Sequence, residues 1–130
     1  MAVGTTQYLN NAWLNVIRSG GTTFTAPTTI HVLLHTGAPG AAGAGNVSSV
    51  TTRMAITFTT ASTGVLNSSS SPSWTSWAGT NGEVVTAISV WDAAAAGNCL
   101  WTATLSASKT INTGDTFTLS SCSLTITNAS

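Results

Sequence analysis

Charge is what this sequence has least of. Only 5% of its 130 residues are Asp, Glu, Lys or Arg, and the formal net charge is zero, where an ordinary soluble domain is about 25% charged. Arg18, Arg53 and Lys109 are its only cations besides histidine. They cannot neutralise a run of phosphates, which argues against nucleic acid as a partner and equally against an anionic membrane surface. The opening stretch, MAVGTTQYLNN, has neither a basic start nor an apolar run, so no signal peptide is expected. No segment approaches the ~20 apolar residues of a membrane-spanning helix. Cys99 and Cys122 are too few for a disulfide framework. Both lie in strand-like segments and are expected as small buried thiols; a bridge would need Cα atoms within about 7 Å.

The acids and bases of catalysis are equally scarce. Glu83, Asp92 and Asp115 are the only carboxylates, and Asp92 and Asp115 both stand where turns begin. Serine is plentiful, but there is no GxSxG context and no positioned base with an orienting acid. His31 and His35 sit four residues apart on a predicted strand, about 13 Å, too far to share a metal. They are expected at the surface or at an interface. The loop Gly37–Gly45, GAPGAAGAG, lacks the GK[ST] of a phosphate-binding loop and no helix pattern follows it. The sequence therefore predicts no enzyme, no cofactor and no metal.

Hydroxyls take the place of charge: Ser and Thr make up roughly a third of the chain. The length fits one domain, residues 1–130, able to bury about two thirds of the surface its unfolded chain exposes. A neutral surface with so few charges favours self-association. The sequence thus reads either as an extracellular-type β domain with a hydroxyl surface, or as a homo-oligomer or subunit largely covered by neighbours.

The apolar spacing predicts a mainly β domain. One N-terminal helix is expected over about 5–19, with Leu9, Trp13, Val16 and Ile17 on one stripe, Thr5 or Thr6 at its start and Gly20-Gly21 at its end. This helix would cover the sheet or anchor on a neighbour through Trp13. The β domain, about 30–127, contains seven or eight short strands separated by turn signals, an antiparallel β-sandwich or small barrel. Its clearest part is Glu83–Leu105, a hairpin with an Ala-rich tip. Trp91 and Trp101 are expected to pack on it, and Cys99, Trp101, Ala103 and Leu105 are expected on one face. The tip, with Ala94 and Ala95, offers small side chains for close approach by another subunit. Trp74 and Trp77, in SWTSWAGTNG, stand three apart among hydroxyls. They could cover the core, anchor an interface or stack on a cell-surface glycan.

Several segments together resemble the small tailed-bacteriophage virion proteins often labelled tail fibre or minor tail protein. The matching residues are Leu34-His35-Thr36, Arg53, Trp91-Asp92-Ala93-Ala94, Gly97-Asn98, Leu100, Ser108-Lys109-Thr110, Asn112 and Gly114-Asp115-Thr116. The resemblance implies a non-enzymatic virion structural protein with major capsid or tail proteins as partners. Being a compact domain without a fibrous shaft, the chain is expected to be a capsid decoration or cement protein. The alternatives are a minor tail or fibre-associated protein, or a carbohydrate-binding module built on Trp74 and Trp77. The candidate interface residues are Trp13, Arg53, Trp74, Trp77, Ala94 and Ala95.

Overall fold

The computed structural model describes residues 2–129. The elements run β1 (Gly4–Thr5), α1 (Gln7–Ile17), β2 (Ile30–His35), β3 (Met54–Ile56), β4 (Val65–Asn67), β5 (Ser73–Trp74), β6 (Glu83–Trp91), β7 (Cys99–Ile111), β8 (Phe117–Thr118) and β9 (Ser123–Thr125). All pairings are antiparallel. A five-stranded sheet has the order β1-β7-β6-β2-β3, and two short ribbons, β4-β9 and β5-β8, stand apart from it. The fold is mainly β with one N-terminal helix, as the pattern predicts, and the sheet does not close into a barrel.

The period of two sorts side chains onto the two faces of the sheet. Val32 and Leu34 of β2 pair with Val90 and Ile88 of β6, which in turn pair with Trp101 and Ala103 of β7. This face carries the main core, joined by Trp74, Trp77, Phe117, Leu119 and Cys122 from the ribbons and the segments beside them. The other parity of β2 and β6 places Leu33, His35, Ser89 and Trp91 on the opposite face, where Leu33, Trp91 and Cys99 form a second, smaller cluster. A register shift between Val90 and Trp91 sets Cys99 opposite Trp91 and leaves Leu100 as the extra residue. Cys99 therefore leaves the face of Trp101, against the simple alternation read from the sequence, because one bulged residue inverts the parity beyond it. The two thiols lie in different clusters and are free.

Thr6 caps the helix, its hydroxyl accepting from the Leu9 N–H. The same hydroxyl donates towards the Cys99 and Leu100 carbonyls, and the Thr6 N–H donates to Leu100 O. One residue thus starts the helix and ties it to β7. The helix is shorter than the predicted 5–19, and its apolar stripe is only half used. Leu9 is buried and Trp13 packs partly against the core, but Val16 is 48% and Ile17 80% exposed. Only the N-terminal half lies on the sheet, so the last turn overhangs.

Candidate functional site

The tip of the β6–β7 hairpin is an exposed turn held in shape by hydrogen bonds from both of its ends. Asp92 accepts from the Asn98 backbone N–H at 2.7 Å and from its side-chain amide at 3.0 Å, while the Asp92 N–H donates to Asn98 O. Ala96 and Gly97 both take positive φ. A Cβ on Gly97 would collide with Asp92 Oδ1, so the turn needs glycine there.

Arg53, just before β3, supplies the other clamp. Its guanidinium lies 3.7 Å from the Trp91 ring centroid, and its Nη1 donates to Ala93 O at 3.0 Å and to Ala96 O at 2.7 Å. A cation over an indole face contributes about 0.5–1 kcal/mol where solvent reaches it. The two carbonyl bonds fix the tip at both ends, and Ala94, Ala95 and Ala96 stand exposed between them. The structure therefore brings together Arg53, Ala94 and Ala95 of the sequence-derived candidates. It gives Arg53 a structural job, because both bonds from its Nη1 go to the tip's own carbonyls.

Beneath the tip, the Gly-rich loop covers the smaller cluster. Gly43 has φ 67°, and a Cβ there would overlap Cys99 Sγ and crowd Trp91. Its glycine lets the loop backbone seat against the sheet. Burial pushes the Cys99 thiol up to about 11, so it is a poor nucleophile at neutral pH. His35 is completely buried, which corrects the expected surface position: the loop folds back over it. His35 Nδ1 lies 2.7 Å from Gly45 O, a pure acceptor, so Nδ1 carries the proton. Nε2 then accepts from Ser89 Oγ at 2.7 Å, and Ser89 Oγ accepts from Trp91 Nε1–H at 2.7 Å. Every polar atom of this buried relay is satisfied by a neutral histidine. Burial lowers the His35 pKa, and the Gly45 bond offsets this only in part.

The remaining candidates lie elsewhere. Trp74 and Trp77 are 4% and 2% exposed. Trp74 packs against Phe117 at 5.7 Å between ring centroids and donates to Thr52 O, and Trp77 donates to Thr80 O. Neither presents a ring face to solvent, so both serve as core and the sugar platform has no basis in the fold. Of the three readings open in the sequence, the structure takes core cover; the flanking hydroxyls mark loop backbone and not the direction of the rings. Trp13 is half-buried on the helix. Sequence reasoning missed the Glu83 latch. Its carboxylate accepts from Ser48 Oγ, the Ser49 N–H and Ser49 Oγ, pinning the long loop before β3. The only signal for it was a lone Glu at the start of a strand. Among the described residues no cluster of His, Cys, Asp or Glu could hold a metal ion.

The hairpin tip is shaped by main-chain clamps and backed by a glycine loop. Comparison with known families accounts for nearly the whole chain: the family model described as podophage GP4 fiber I protein gp80 matches residues 4–127. The chain belongs to this family. It is thus a phage virion structural protein of a fibre family, and the matched region runs from β1 past β9. No curated protein matches the chain. No helix among the described residues is long and apolar enough to cross a membrane.

Proposed function

We propose that the chain is a non-enzymatic, fibre-associated subunit of a phage virion that acts by presenting a rigid, uncharged contact surface to neighbouring virion proteins or to further copies of itself. The observation that carries this reading is the fibre-family match over residues 4–127. It favours the fibre-associated alternative over the head-decoration role expected from size and composition, which has no finding of its own behind it. The physical form agrees. The exposed hairpin tip carries alanines on a backbone fixed by Arg53, Asp92 and Asn98. Such a surface associates through shape and small apolar contacts, not through charge steering.

Cryo-electron microscopy of the parent virion tests the placement. Density for this fold is expected on or at the base of fibres, with the β6–β7 tip in contact with another chain. Density confined to the head shell would reject the proposal.

A further inference from the structure

β7 and β8 are consecutive strands joined by a tight turn at Asn112–Asp115, yet they do not pair. β8 pairs with β5 alone, through Ser73 and Trp74. β7 pairs with β6 along one edge, and on its other edge only with β1, at Trp101 and Thr102. Neighbouring backbone groups beyond β8 also turn away from β7: the Leu119 N–H donates to Pro72 O, and Cys122 O accepts from the Ser68 N–H. Between the two strands lies a groove of about 590 Å³. Ile88, Ala103, Phe117 and Leu119 contribute apolar surface to it, serine and threonine line much of the rest, and Lys109 is the one charged residue on its walls.

β7 also arches away from β6 where it borders the groove. Val85 pairs with Lys109 but Ala87 pairs with Thr104, so Leu105–Ser108 stand against the single residue Thr86. This arch releases main-chain groups from β6 in the same stretch that walls the groove. An unpaired strand edge is a template for another strand, and a groove with such an edge beside an apolar floor suits strand addition, in which main-chain bonds supply affinity and alternate side chains fill pockets.

We propose that this groove receives an extended segment of another protein, which adds as a strand between β7 and β8. The period of two defines its chemistry: apolar side chains on alternate positions meet the floor, and small hydroxyl or amide side chains face outward. A carboxylate belongs at the Lys109 end, where it meets the only charge of the groove. The occupant is an arm and not a second folded copy, because a wall stands on each side of the slot. The inference rests on the groove and is independent of the subunit's place in the virion.

The test is amide exchange on the whole chain with a short acetylated peptide of alternating valine and serine ending in aspartate. Exchange at Ala103–Lys109 is expected to slow by on the order of tenfold at saturation, and a backbone N-methylated version of the peptide is expected to have no effect. Replacing the terminal aspartate by lysine is expected to weaken binding about two- to five-fold at low salt, the scale of an exposed ion pair. The exposed charge reversal Lys109→Glu should invert that preference. The proposal is overturned by unchanged exchange at these amides, by equal protection from the N-methylated peptide, or by protection that grows with protein concentration alone and accompanies a dimer.

Discussion

His35 stores a dependence on acidity in a protein with almost no other titratable core. Its folded pKa lies below the ordinary value of 6.5 because burial disfavours the imidazolium. The neutral ring fits the native relay, whereas an imidazolium would drive a proton at Ser89 Oγ, which already accepts from Trp91. The unfolded chain takes up the proton first as pH falls. The contribution of this site is therefore complete above about pH 6.5 and is lost as pH falls from there through the folded pKa. Urea unfolding at pH 7.5 and pH 5 should show lower stability at the acid end, and His35→Gln should flatten the difference. At the same scale, Trp74→Ala or Trp77→Ala should cost about 3–5 kcal/mol, as for a buried aromatic cut to alanine. Denaturant midpoints would read the loss directly. Binding to a glycan array is expected to be absent in the unaltered protein, since both rings are enclosed. SPSWTSWAG left burial as one of three open readings, because the direction of an indole is set by Phe117 and the carbonyls of Thr52 and Thr80, which are distant or unremarkable in sequence.

The hairpin was the most legible element. Its alternation, its Asp92 turn and its packing tryptophans all follow from period and turn chemistry, and the structure adds Arg53 as the brace. Arg53→Lys keeps the charge but cannot place two donors and a flat face together. It should leave global stability within about 1 kcal/mol while raising amide exchange and protease cutting across Ala93–Asn98. The bulge at Leu100 could not be read, because Cys99, Trp101, Ala103 and Leu105 alternate without a break and only cross-strand register shows the slip. For the same reason the arch at Leu105–Ser108 is invisible in CLWTATLSASKTI. The glycine loop, which in sequence showed only the lack of a phosphate-binding pattern, is a fitted cover. Gly43→Ala, with its positive φ and the Cys99 sulfur in the way, should destabilise by more than about 1 kcal/mol. In the folded protein both thiols should resist alkylation at neutral pH and react only on unfolding.

At the scale of the whole molecule, the sparse charge and the exposed helix end bear on assembly. Leu14 is 60% and Ile17 80% exposed on a chain with zero net charge. Concentrated protein is expected to self-associate, as light scattering would show, and Leu14→Gln/Ile17→Gln should reduce this with little change in unfolding midpoint. The mainly β class was readable because it depends on composition and turn spacing summed over the chain. The split into one sheet and two ribbons was not, since it depends on which short strands find each other across long loops.

The clamps at the hairpin tip have one more consequence. Arg53 grips the carbonyls of Ala93 and Ala96, and Asp92 grips Asn98; nothing in the tip's conformation uses the side chains of Ala94 or Ala95. Those two positions can therefore change identity while the backbone keeps its form, with effects on stability within about 0.5 kcal/mol. The fold separates a heritable scaffold from a display position, so a lineage could alter what the tip meets by point substitution without relearning how to fold.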